Sequence, residues 1–244
     1  MAVTAAEIFT RVQDVIQDTT SVRWPLVELL RWLNDARDQV VLHKPSAGAA
    51  TVVLDMVLGT YQTVPSTYIG LLRVVRNITA VDGDVRTGGR AIRMVQRDIL
   101  DSQIPDWHST AAVPFNDVVK HAIYDPADPL AYYVYPGNTG SGKIEAIAYK
   151  TPTPIAVPGS PTLIASYSAT IGIPDIYAGT LVDFILYRAY SKDTQFAGNA
   201  QRAQAHYQMF ANSLGIKIKN EITSNPNAVM NAPLQQADPP ALVP

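Results

Sequence analysis

Both ends of this 244-residue chain carry apolar residues at helical spacing, while the middle alternates like strands. An amphipathic helix buries its stripe only against another element, so stripes at opposite ends of one chain must find each other. Thr4-Ala5-Ala6-Glu7 is a capping box, in which hydroxyl and carboxylate satisfy each other's orphan amides. The helix it opens places Ala5, Ile8, Val12, Val15 and Ile16 on one face and stops at Asp18-Thr19-Thr20. Pro25 suits the first position of a second helix, where its missing N–H costs nothing. Leu26, Leu29, Leu30, Leu33, Ala36, Val40 and Val41 form its stripe, Arg31 and Asp35 are spaced to pair on its outer side, and Pro45 ends it. These two helices read as an antiparallel hairpin. Pro174-Asp175 opens a third helix reaching Ser191, with Leu181, Phe184, Ile185 and Arg188 on one side. Asn199 opens a last helix striped by Ala203, Tyr207, Phe210 and Leu214, with Gly215 as its C-terminal cap.

Between the helical ends, Thr51–Leu58, Tyr61–Val64 and Leu71–Val81 read as strands, the last closed by the turn dipeptide Asp82-Gly83. Gly88-Gly89 leads into a helix over residues 91–101, with Ile92, Val95 and Ile99 on one side, and Ile104-Pro105-Asp106-Trp107 is a loop carrying a large aromatic. Val118–Tyr124, Ala131–Tyr135 and Lys143–Lys150 are the clearest strands. Their short links make an antiparallel meander, because such links cannot form parallel crossovers. Thr151–Pro174 is proline-rich and reads as a surface linker. Beyond Gly215 the Asn/Pro/Gln/Ala composition buries too little to order itself. The predicted organisation is α+β: a helical bundle from an N-terminal pair (1–45) and a C-terminal pair (175–215), an inserted region of antiparallel β hairpins with one helix (46–174), and an extended partner-binding tail (216–244).

Composition narrows the function. Charged residues make up 16% of the chain, against about 25% in ordinary globular proteins, as expected of a subunit whose neighbours cover its surface and equally of a surface that is polar through Ser, Thr and Asn. Net charge is −2, so no global basic field advertises nucleic acid. The absence of cysteine excludes disulfides, zinc–thiolate sites and a cysteine nucleophile. No apolar run approaches the ~20 residues of a membrane span, and Met1 to Glu7 lacks the pattern of a secretory signal. Without such a signal, Asn77-Ile78-Thr79 is a chance match to a glycosylation acceptor.

No catalytic constellation emerges. Gly137-Asn138-Thr139-Gly140-Ser141-Gly142-Lys143 has the spacing of a phosphate loop, but Ile144 stands where Ser or Thr should hold magnesium, and the loop joins two strands. His43, His108, His121 and His206 lack metal-ligand spacing, Ser166 and Ser168 lie in no nucleophile elbow, and Asp125 and Asp128 flank prolines as turn residues. No cofactor is expected. Arg73, Arg76, Arg86, Arg90, Arg93 and Arg97 concentrate positive charge; a solvated face is the commoner meaning, and Arg86, Arg90, Arg93 and Arg97 are the candidates for contact with DNA or an acidic partner. Tyr132 and Tyr133 must point to opposite faces of their strand, so with Tyr135, Tyr149 and Trp107 they are candidates for a subunit or tail interface as well as for core.

Arg23-Trp24-Pro25 with Trp32-Leu33-Asn34-Asp35-Ala36, the segment Asp128–Pro136, Pro174-Asp175-Ile176-Tyr177 with Leu181–Asp193, and Ala203–Leu214 occur in an order that resembles the head-to-tail adaptors of tailed phages, the short-tailed type above all. The resemblance covers residues 4 to 215. It implies a non-enzymatic virion protein, assembled in the host cytoplasm and located in the neck between capsid portal and tail. Its copies would form a homo-oligomeric ring of about twelve beneath the portal protein, extend the channel for double-stranded DNA and dock the tail or nozzle protein. It also implies a portal-binding tail, for which Ile216, Ile218, Ile222, Val229, Met230 and Leu234 are the apolar candidates; the sequence equally allows this tail to bind a neighbouring adaptor subunit. The competing readings are a tail-tube or nozzle protein, which needs more β structure, and a virion enzyme, which needs a constellation not found here.

Overall fold

The computed structural model describes residues 2–224. In chain order the elements are α1 (Ala5–Ile16), α2 (Leu26–His43), β1 (Ala49–Asp55), β2 (Leu58–Thr63), β3 (Gly70–Asp82), β4 (Val85–Ala91), β5 (Arg93–Met94), α3 (Arg97–Gln103), β6 (His121–Tyr124), β7 (Ala131–Thr139), β8 (Lys143–Tyr149), α4 (Ala178–Lys192) and α5 (Asn199–Ser224). The fold is α+β: four helices from the two ends of the chain make a bundle, and the residues between them make a two-sheet sandwich.

The capping box forms as the sequence dictates. The Glu7 amide donates to Thr4 Oγ1 at 3.3 Å, and the Thr4 amide donates to Glu7 Oε2 at 3.4 Å. Ala5, Ile8, Phe9 and Val12 are the buried face of α1, whereas Val15, which the spacing put on that stripe, is 48% exposed in the last turn. The predicted stripe of α2 is buried throughout. Both helices pack more extensively on α4 than on each other, so the N-terminal pair is less a self-contained hairpin than two walls around a helix from the other end of the chain. Asp35 faces Arg188 of α4 at 3.8 Å, and Lys192 reaches both Glu28 oxygens at 2.7 Å. Both bridges are solvent-exposed and set register more than stability.

Two expectations for the bundle change. The segment before α4 does not simply run over the surface: Tyr167, Ile171 and Ile173 are buried in the bundle core. Backbone bonds from Ala5 and Ala6 to the carbonyls of Ala169 and Tyr167, each 2.9 Å, and from Ile171 to Val3 at 3.0 Å lash it to the start of α1. Arg37 and Asn34 clamp its other end. The Arg37 guanidinium donates to Asn34 Oδ1 at 2.8 Å and to the Thr153 carbonyl at 3.0 Å, and the Asn34 amide exchanges two bonds with the backbone of Ile155. Nor does Gly215 end the last helix, which continues to Ser224. A helical glycine costs only about 1 kcal/mol. Beyond it, Lys217 donates to the Ile176 carbonyl at 2.8 Å and to Thr180 Oγ1 at 3.0 Å, and its ammonium lies 4.4 Å from the centre of the Tyr177 ring.

In the sandwich, one sheet has the order β1-β8-β3-β4 and the other β2-β7-β6-β5. Every pair is antiparallel except the short parallel contact of β5 with β6. The inner faces meet in a core that includes Leu54, Met56, Leu71, Val74, Tyr132, Val134, Ile144 and Ala146. The expected meander is therefore half right: β6 pairs with β7, but β8 leaves β7 and joins the opposite sheet between β1 and β3. Asn138, fully buried, makes that corner. Its Nδ2 donates to the carbonyls of Asn116 and Asp117, and its Oδ1 accepts the amides of Gly140 and Gly142. Gly140, at φ 95°, supplies a backbone conformation that other residues rarely adopt. The helix expected over 91–101 is confined to Arg97–Gln103, because residues 85–91 and 93–94 are claimed by sheet pairing. Gly88 and Gly89 lie inside β4, where a Cβ on Gly88 would strike the Arg76 side chain.

Leu181 is fully buried in the first turn of α4, in the core that both chain ends share. Leu181→Ala is expected to destabilise the protein by about 2–5 kcal/mol, read as a lower denaturation midpoint in urea, whereas Val15→Ala is expected to change it by less than about 1 kcal/mol.

Candidate functional site

Three regions were marked by the sequence: the aromatic strand, the arginine-rich stretch and the C-terminal segment. On β7 the alternation of faces holds. Tyr132 points into the sandwich core, while Tyr133 and Tyr135 point outward. The outward face is covered by the chain itself, with α3 and the loop after it laying Trp107 over the sheet. Trp107 is fully buried, donates Nε1–H to Asp101 at 2.8 Å, stacks on His108 with centroids 3.7 Å apart, and meets Tyr133 and Tyr135 edge-on. Trp107 and Tyr132 thus lie in two cores of the same chain, both buried within it. The Tyr132 hydroxyl is buried without a hydrogen-bond partner among the described residues, and burial raises its pKa. Tyr149 sits at the junction, against the bundle core on one side and over Gly70 on the other. Tyr61, not singled out by the sequence, is 48% exposed on the β2 edge beside Tyr133.

Five of the six arginines divide into two groups, and Arg73 lies exposed on β3. Arg76 Nε and Arg86 Nη1 both donate to Glu145, at 2.6 and 3.1 Å, and Arg97 pairs with Asp101 at 3.2 Å while lying over the Tyr133 ring. The hydrogen bond from Arg76, joined by Arg86, holds the Glu145 carboxyl below the usual carboxylate range. Arg90 and Arg93 instead converge with Lys120 and His121 around one cleft. Burial, then Arg90, Arg93 and Lys120, lower the His121 pKa. Sequence reading missed Lys120 and His121 as members of this group. The pairing of Arg93 with His121 across β5 and β6 brings them together, and a stretch read as helix hides that register.

The remaining candidates serve the fold. Lys143 of the glycine-rich loop pairs with Asp55. The Asn77 amide is buried and bonded to Arg90 and Val119 backbone, which leaves nothing for glycosylation. His108 bonds Thr60 Oγ1 at 2.7 Å, and His206 bonds Asp183 at 3.0 Å while stacking on Tyr190. Among the described residues no three His, Asp or Glu side chains gather to hold a metal ion, and no helix is long and apolar enough to cross a membrane. Ile216, Ile218 and Ile222 belong to the extended part of α5. Val229, Met230 and Leu234 lie outside the described residues.

The chain is an α+β protein in which a helical bundle from both chain ends carries a two-sheet sandwich. A protein-family model described as SU10 adaptor protein matches residues 3–233. The chain belongs to the SU10 adaptor family, the phage head-to-tail adaptors. No curated protein matches the chain.

Because the folded pKa of Glu145 is depressed, the stability it contributes is complete above the ordinary carboxylate pKa of about 4.3 and is lost as pH falls through the lower folded value. Glu145→Gln is expected to reduce stability near neutral pH and to flatten the acid limb of the stability profile, measured by urea denaturation at pH values spanning about 3 to 6.

Proposed function

We propose that this protein is the adaptor between portal and tail: a homo-oligomeric ring of about twelve copies beneath the portal protein, extending the channel for double-stranded DNA and docking the tail or nozzle. The observation that carries this reading is the family match, which runs through bundle and sandwich alike. Composition supports it. Low charge density and exposed apolar side chains such as Val57, Leu58, Tyr61, Val81 and Val85 fit a subunit whose surfaces neighbours cover. A net charge of −2 suits a channel through which DNA slides, since neutralising many phosphates would hold it. The C-terminal segment from Ile216 onward is the portal-binding element, with Ile216, Ile218, Ile222, Val229, Met230 and Leu234 as apolar contacts. The sandwich end is the docking platform, and Tyr133 and Tyr135 contribute from beneath its outer face.

Native mass spectrometry of the full chain mixed with its portal ring is expected to show the portal plus about twelve copies, and failure to associate under any condition overturns the reading. Truncation after Ser224 is expected to abolish attachment while leaving the circular dichroism spectrum and thermal midpoint nearly unchanged. Attachment that survives this truncation removes residues 225–244 from the portal contact.

A further inference from the structure

Arg90 at the end of β4, Arg93 on β5, Lys120 and His121 line one cleft of about 330 Å³. None of the three cations is paired with an acid among the described residues, whereas Arg76 and Arg86 share Glu145 and Arg97 pairs with Asp101. The cleft also holds a buried His121 Nδ1 without a hydrogen-bond partner among the described residues. Sheet pairing forces these mutually repelling groups together, and an oxyanion would relieve them.

A second feature lies on the same hairpin. Beyond Ile78, β3 and β4 pair only with each other, as a two-stranded ribbon whose residues are exposed, save half-buried Arg86, which reaches back to Glu145 of β8 and the Thr51 carbonyl of β1. Such a ribbon is marginal on its own. Its tip carries Asp82, Gly83 at φ 56° and Asp84, flanked by Val81 and Val85, which are 44% and 68% exposed. Two carboxylates ringed by exposed apolar side chains are a contact surface without a contact.

We infer that the Asp82–Asp84 hairpin tip of one copy docks into the Arg90–Arg93–Lys120–His121 cleft of a second copy of this chain. The tip cannot reach its own cleft: Asp84 and Arg90 are six residues apart on one extended ribbon, about 20 Å. The contact therefore forms between chains and joins two different patches. Such a heterologous contact propagates head to tail and closes into a ring when the subunit rotation permits. Duplex DNA fits the cleft less well. A row of phosphates calls for a row of free cations, and the neighbouring Arg76, Arg86 and Arg97 are already engaged by Glu145 and Asp101, leaving a compact socket. The inference rests on the reading of the chain as self-assembling and requires no portal.

Sedimentation velocity on the full chain at low salt, up to millimolar concentration, tests it. The wild type is expected to self-associate, and D82K/D84K and R90E/R93E are each expected to weaken association at least about tenfold. Mixing the two variants, or combining all four substitutions in one chain, is expected to restore it. Restoration also shows that the variants are folded. A wild type that stays monomeric, or single reversals that neither combination rescues, overturns the proposal. So does R90E/R93E that loses affinity for a short DNA duplex with self-association unchanged. Portal attachment, measured separately, reports on the adaptor reading alone.

Discussion

The bundle exists because α4 fills the space between α1 and α2. Ile8, Phe9 and Val12 on one side and Leu29, Leu30 and Leu33 on the other share a core with Leu181 and Ile185, contributed from the far end of the chain. Neither N-terminal helix covers the other's stripe, so their stability is borrowed from a segment separated from them by the whole sandwich. Everything between must be arranged so that the chain returns in register. Arg37 and Asn34 fix that return by holding the backbone of Thr153 and Ile155, and the residues near Thr170 then run against the start of α1. Arg37 is nearly fully buried, and burial lowers its pKa; its hydrogen bonds to Asn34 and Thr153 offset the desolvation a cation suffers there. A polar clamp of this kind adds little net stability but selects one path for the chain among many apolar alternatives.

The sandwich uses its charges differently. Glu145, on the central strand β8, collects Arg76 and Arg86 from β3 and β4 and ties the sheet laterally across its outer face. The second sheet hides its outer face beneath Trp107 and α3, so the aromatic density of β7 is divided between two cores of one subunit. What remains outside is sparse and located: the β2 edge at Tyr61, the cleft beside His121 and the ribbon beyond Ile78.

Local signals were legible wherever local physics decides. The Thr4–Glu7 box, the stripe of α2, the turn at Asp82-Gly83 and the α+β order follow from spacing and turn chemistry that no tertiary contact overrides. Misreadings arose where a distant partner decides. Ile92, Val95 and Ile99 have helical spacing by coincidence, and pairing of Arg93 with His121 draws the first part of that segment into a sheet. The link between β7 and β8 is short enough for a hairpin, and only the buried amide of Asn138 shows that it is a corner between sheets. Gly215 is the residue type that commonly ends a helix, yet two residues further on Lys217 finds Ile176 and Thr180. Of the candidate site, the arginine-rich stretch was visible, but its division into paired and unpaired members depends on Glu145 and Asp101, which no one-dimensional pattern connects to them.

The corner at Asn138 has a mechanical consequence. Because β7 passes directly into β8, one continuous backbone belongs to both sheets, and a pull on either sheet is carried to the other through covalent bonds as well as side-chain packing. The corner's geometry is locked by four hydrogen bonds from one interior amide, so it cannot unwind by local slippage without exposing a polar group that has no water to turn to. A sandwich stitched in this way resists shear between its layers and behaves under load as one stiff block.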